Sequence, residues 1–127
     1  MSLKVLVVDD EEMTRNLLRL MLSRSKFTVL EAGGGFAALE MIKEHRPDLV
    51  ILDLMMPDLD GFSVCERVRA QPEYDAMPIF ILSARADQET IARGLSLGAT
   101  KYLTKPVGYK DLLAHIEDVL VVDANSG

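Results

Sequence analysis

The 127-residue sequence has one cysteine, Cys65, and no tryptophan. A single cysteine excludes an intrachain disulfide framework, so a packed core must hold the fold, and a reducing cytoplasm is the expected compartment. With only 6% aromatic residues, there is no stacking support for a flavin. No apolar run approaches the ~20 residues of a membrane-spanning helix. The opening residues also lack the basic-then-apolar pattern of a secretory leader. A basic stripe is missing too: 14 Lys and Arg stand against 20 Asp and Glu, for a net charge of −6. That balance argues against direct contact of this domain with nucleic acid or an anionic membrane. Internal repeats, low-complexity tracts and an internal linker are absent.

What is present is ordinary globular composition, 49% hydrophobic and 27% charged, in a length that suits one domain with a single core. Short β-branched runs at 3–8, 27–31, 49–54, 78–83 and 101–104 alternate with longer segments of helical period. The first, third and fourth runs are almost continuously apolar, as parallel strands buried on both faces are. Helices are expected over 12–24, 35–45, 61–70, 87–97 and 109–121. Their apolar stripes are led by Leu17, Leu18, Met21 and Leu22; by Phe36, Leu39 and Ile42; by Phe62, Cys65 and Val68; by Ile91 and Leu95; and by Leu112, Leu113, Ile116 and Leu120. Five βα units make an open, doubly wound α/β sheet with right-handed crossovers.

In such sheets function gathers beyond the carboxyl ends of the strands. The first strand delivers Asp9 and Asp10 there, the third Asp53, the fourth Ser83 and the fifth Lys105. Crowding carboxylates is costly, about 4 kcal/mol for two charges 4 Å apart at an effective dielectric of 20. A hard cation relieves that cost, and carboxylate with water is a ligand set that suits Mg²⁺. A carboxylate at such a site can also attack phosphorus to give an aspartyl-phosphate, with the metal and Lys105 screening the phosphoryl charge. Ser83 is placed to hydrogen-bond a phosphoryl oxygen, and Ala84 beside it leaves room.

The stretches VLVVDDE, ILDLMMPDLDG, ILSA and GATKYLTKP, each at the end of an expected strand, resemble the signature stretches of bacterial response-regulator receiver domains. The resemblance runs from Lys4 to about Leu120. It implies a single-domain (βα)5 flavodoxin-like sandwich over residues 1–122, with a five-stranded parallel sheet in the order 2-1-3-4-5, and a tail or linker start at 123–127. It implies Asp53 as phosphoacceptor, Asp10 as a direct magnesium ligand, Asp9 as an acid holding the metal through water, and the Met55 backbone carbonyl as a further ligand. Mn²⁺ is an expected substitute for Mg²⁺. Ser83 and Tyr102 match the switch pair, Lys105 the phosphate-pairing lysine, and Pro106 a proline after a cis peptide bond that would aim Lys105 inward. The implied phosphodonor is a sensor histidine kinase or histidine phosphotransfer protein. The implied output is a downstream effector or output domain, met through the face of the fourth helix, fifth strand and fifth helix. A monomer or a phosphorylation-dependent dimer fits, and the only chemistry expected is self-phosphorylation and autodephosphorylation.

Simpler roles compete at several positions. Asp9 and Asp10 suit the start of a helix, and Glu11 and Glu12 read as first-turn residues. Gly33–Gly35 follows the wrong strand and has the wrong spacing for a phosphate loop, and is read as a turn and helix entry. Val107, Gly108 and Tyr109 depart from the usual start of the last helix. His45 at a helix end and His115 on the last helix are read as structural or surface residues. Met13, Met21, Met41 and Met56 are expected to pack in the core or at its rim. Gly94 lowers the intrinsic stability of the fourth helix. Two other functions remain: a magnesium-dependent phosphohydrolase with an aspartyl intermediate, and a receiver-like binding module that takes no phosphate.

Overall fold

β-branched and leucine side chains fill the middle of the sequence's strand segments, and these segments form the interior of a computed structural model that describes residues 2–120. The expected tail at 123–127 lies outside the described residues. The elements run β1 (Lys4–Val8), α1 (Glu12–Ser23), β2 (Thr28–Ala32), α2 (Gly35–His45), β3 (Leu49–Leu52), α3 (Gly61–Arg69), β4 (Ile79–Ser83), α4 (Gln88–Ser96), β5 (Lys101–Thr104) and α5 (Tyr109–Val119). A 3₁₀ turn at Pro72–Tyr74, which the periodicity does not announce, leads into β4. The five strands form one parallel sheet in the order β2-β1-β3-β4-β5.

β3 and β4 are buried throughout, and β1 from its second residue onward, which is why their sequences lack polar alternation. Alternate residues serve opposite faces. Val5, Val7, Leu49, Ile51, Phe80 and Leu82 pack with Leu18 and Leu22 of α1 and Leu112 and Ile116 of α5. Leu6, Val8, Val50, Leu52, Ile79 and Ile81 pack with Ala38 and Ile42 of α2 and Val64, Cys65 and Val68 of α3. Each large side chain buried this way contributes about 1.5–3 kcal/mol.

Three helical stripes differ from expectation. On α1, Leu18 and Leu22 are buried while Leu17, Leu20 and Met13 are exposed, Met13 by 83%, so the buried face is narrower than the periodicity suggests. Phe36 is exposed, with the Arg67 guanidinium 5.6 Å from its ring centre. On α4, Leu95 is exposed and Gly94 is buried. A Cβ on Gly94 would meet Ile81 Cδ1 at 2.8 Å and Tyr102 at 3.3 Å, so this glycine lets α4 lie close to the sheet besides softening the helix.

β3 stops at Leu52, short of the expected residue 54. The Asp53 amide still donates to the Val8 carbonyl at 3.0 Å, but the Leu54 amide turns to the Asp53 carboxylate at 2.9 Å. The acid's own side chain diverts the backbone from the ladder, and Asp53 is left at the rim.

Candidate functional site

Four strand ends supply the site. The Asp9 amide donates to the Ala32 carbonyl at 3.2 Å, which fixes the end of β1 against β2. Asp53 follows β3, and Ser83 is the last residue of β4. Lys105 follows β5, and its amide donates to the Ser83 carbonyl at 2.8 Å. The Lys105–Pro106 peptide is cis.

Carboxylate oxygens of Asp9, Asp10 and Asp53 lie within 4.8 Å of one another. Asp9 and Asp53 are buried, and Asp10 is exposed. Lys105 Nζ donates to Asp9 Oδ2 at 2.9 Å and stands 3.5 Å from Asp53 Oδ1. Asp9 Oδ1 also accepts from the Glu11 amide at 2.9 Å. Asp9 does not cap α1, whose N-cap is Glu11 with no side-chain cap; one of its oxygens orders the chain just before the helix and the other faces Lys105.

Three carboxylates face the Lys105 ammonium, and the imbalance shows in the proton affinities of Asp53 and Lys105. Burial pushes the Asp53 carboxyl above the usual carboxylate range, and the charge of Asp9 pushes it further; Lys105 and the Leu54 amide oppose both. Burial alone would lower the Lys105 ammonium, but its hydrogen bond to Asp9 and the charges of Asp53 and Asp9 hold it above its ordinary value. A cluster of hard oxygen donors short of positive charge fits Mg²⁺ or Mn²⁺, and the arrangement of these acids meets that requirement.

Around this center, Ser83 is buried and its Oγ accepts from the Arg85 amide at 3.1 Å. The Tyr102 hydroxyl donates to the Arg85 carbonyl at 2.7 Å. Ser83 and Tyr102 are thus joined through a single residue of the loop between β4 and α4. Ala84 is exposed beside Ser83. Met55 is exposed in the loop after Asp53.

Three residues around the site escape a reading by motif. Arg15 Nη1 donates to the Asp9 carbonyl at 2.6 Å, while its Nε pairs with Glu31 at 3.3 Å. Arg85 joins Ser83 and Tyr102 through its backbone. Asp58 accepts from the amides of Gly35 at 3.1 Å and Phe36 at 3.2 Å. The histidines stand apart from the acids. The His45 carbonyl accepts from Lys4, and His115 pairs with Lys101 at 2.9 Å and stands edge-on to Phe80.

Residues 5–117 match the response regulator receiver domain family. The response regulator MprA of Mycobacterium ulcerans is 44% identical over 120 residues, which cover 94% of this chain and 51% of that protein. The probable transcriptional regulator ycf27 of Porphyridium aerugineum is 43% identical over 117 residues, covering 92% and 48%. The chain spans about half the length of these curated relatives. Among solved structures, chemotaxis protein CheY4 of Vibrio cholerae superposes with a TM-score of 0.89 at 33% identity, over 94% of this chain and 100% of that one. A response regulator described as putative, from Chloroflexus aurantiacus, gives 0.90 at 32% identity, over 95% and 99%.

Proposed function

The chain belongs to the response regulator receiver domain family, a family of signalling proteins rather than turnover enzymes, and on that premise we propose that Asp53 accepts a phosphoryl group in a Mg²⁺-dependent step. The donor is a histidine kinase or a histidine phosphotransfer protein. The observation that carries this reading is a buried carboxylate held 3.5 Å from Lys105 and clustered with Asp9 and Asp10.

In the reaction an Asp53 oxygen bonds to phosphorus as the bond from phosphorus to the donor's imidazole nitrogen breaks, and the electron pair leaves with that nitrogen. Asp10, Asp53 and the Met55 carbonyl would hold the metal directly, with Asp9 acting through water. When bound, the metal supplies positive charge opposite the phosphoryl oxygens. Lys105 lowers the proton affinity of Asp53 against the pull of burial and then pairs with the phosphoryl group, whose charge is about −1.5 to −2 near neutral pH.

Transmission uses the Arg85 link. Once the Ser83 hydroxyl turns to donate to a phosphoryl oxygen, it no longer accepts from the Arg85 amide. The loop before α4 then shifts with the Arg85 carbonyl, and Tyr102, which donates to that carbonyl, turns inward. The face of α4, β5 and α5 changes shape and is read by a downstream partner or output domain, as a monomer or a phosphorylation-dependent dimer. With a net charge of −6, this domain is assigned no nucleic-acid contact of its own. Unchanged hydrogen exchange over residues 83–115 on adding beryllofluoride with Mg²⁺ would refute this route.

The phosphohydrolase alternative needs an acid near the nucleophile to protonate a leaving group, and the residue two positions after Asp53 is Met55. Intact mass after incubation with acetyl phosphate and Mg²⁺ separates the cases. One added phosphoryl group on the native chain, and none on Asp53→Asn, is the expected result. Sustained turnover of small phosphate esters would favour the hydrolase.

A further inference from the structure

Between Asp53 and α3 the chain passes through a loop, residues 54–60, that contains Met55. The loop is fixed at its base, where the Gly61 amide donates to the Leu54 carbonyl at 2.9 Å. Its tip is fixed elsewhere. Asp58 Oδ1 accepts from the Gly35 amide at 3.1 Å, and Oδ2 from the Phe36 amide at 3.2 Å.

These are the first amides of α2, which have no partner within their own helix. The residue before the helix, Gly34, has no side chain to cap them. Asp58 does so from 22 and 23 residues away. The two amides hold its carboxyl below the usual range, which fits a carboxylate at the positive end of a helix.

The glycines make the approach possible. The Gly34 backbone is extended, with φ of −171°, so its need for glycine is one of space. A Cβ there would sit 2.8 Å from Asp58 Oδ1, and one at Gly35 would sit 2.3 Å from the Leu59 carbonyl oxygen. Gly33 has no such neighbour, its closest contact being 3.5 Å from Arg15. The glycine run is therefore the seat of the loop that follows Asp53, and no phosphate cradle.

We infer that Asp58 is a positioning residue for metal binding: clamped onto the start of α2, it holds the loop that carries Met55. Asp58 touches no reacting group. It acts on the backbone three residues before it, and the inference rests on the phosphoacceptor reading above. A cap that only stabilised α2 would be replaceable by a local cap, whereas a clamp on the loop would not.

The experiment measures Mg²⁺ affinity by titration calorimetry, and thermal midpoint, for three proteins. They are the native chain, Asp58→Ala, and the double variant Asp58→Ala with Gly34→Ser. The serine gives α2 its own cap, and removal of the carboxylate clears the place its Cβ needs. Asp58→Ala is expected to lower the midpoint and to weaken Mg²⁺ binding by about tenfold, the low end for partners that orient metal ligands. The double variant is expected to regain the midpoint and not the affinity. Affinity that returns together with the midpoint, or that never falls, overturns the inference while leaving Asp53 as phosphoacceptor. A native chain that binds no Mg²⁺ overturns both.

Discussion

Replacing Asp53 by asparagine is expected to make the metal-free protein more stable at neutral pH, although it removes the proposed reacting group. Oxygens of Asp53, Asp9 and Asp10 lie within 4.8 Å of one another. At that distance each carboxylate pair repels by about 3–4 kcal/mol at an effective dielectric of 20. The one compensating ammonium, Lys105 at 3.5 Å, returns about 5 kcal/mol on the same scale. Asp10 is exposed and water screens its share to about 1 kcal/mol or less, so the charges around an ionised Asp53 nearly cancel. Burial, the largest cause of its raised proton affinity, tips the balance to a net cost of about 1 kcal/mol. Urea denaturation followed by circular dichroism, in buffer with EDTA, reads the difference, and a thermal midpoint raised by about 3–8 °C corresponds to it.

The pH dependence has a definite sign. The native carboxyl of Asp53 lies above the unfolded value, so the native state keeps a proton that the unfolded chain has released. Its contribution is fully favourable below the ordinary aspartate value of about 3.9, and it is lost as pH rises through the native value. The gap between Asp53→Asn and the native chain therefore opens above about pH 4 and closes below it. Saturating Mg²⁺ works the other way, adding about 2.7 kcal/mol to the native chain at a hundredfold excess over Kd. An asparagine variant that is less stable at pH 7 without metal, or a gap that persists at low pH, would refute the reasoning.

Other substitutions test neighbouring parts of the account. Lys105→Met removes the ammonium that, among the described residues, pairs with Asp9 and Asp53 and is expected to cost the metal-free protein about 2–4 kcal/mol, read as a lower urea midpoint; an unchanged midpoint contradicts it. Gly94→Ala improves helix propensity but drives a methyl towards Ile81 Cδ1 at 2.8 Å, so a net loss of about 1 kcal/mol is expected from overpacking and a gain would be contrary. Asp87 caps α4, and its carboxyl is held down at about 2, first by the Thr90 hydroxyl and then by the Thr90 amide. Because this value is depressed, the cap's contribution is present above about pH 3.9, the ordinary value, and is lost as pH falls through about 2. Thermal midpoints of Asp87→Ala and the native chain are expected to converge over that interval, and a constant difference would contradict the assignment.

The rim acids and Ser83 are legible in the sequence because each closes a run of buried apolar residues, and a parallel strand fixes where its end lies; Lys105 follows a half-exposed strand and is legible only through the resemblance of its stretch GATKYLTKP. Leu17, Phe36 and Leu95 show the limit of periodicity. A helical period of 3.6 locates the center of a buried face, but its width depends on which neighbour lies across from it. On α1 that neighbour covers Leu18 and Leu22 and stops short of Leu17. Asp58 shows a second limit. Its partners lie on another βα unit, so nothing near it in the sequence points to them, and the missing side-chain cap at Gly34 is the only trace. The Arg85 link between Ser83 and Tyr102 is made by backbone atoms, which no side-chain pattern encodes.

The central claim is that Asp53 itself carries the phosphoryl group. Borohydride reduces an aspartyl-phosphate to homoserine, so peptide mass spectrometry after phosphorylation with Mg²⁺ and reduction locates the acceptor directly. Homoserine is expected at residue 53, only when Mg²⁺ and a phosphodonor are both present. Modification at Asp9 or Asp10 instead, or none at residue 53 in a chain that has gained phosphoryl mass, would contradict it.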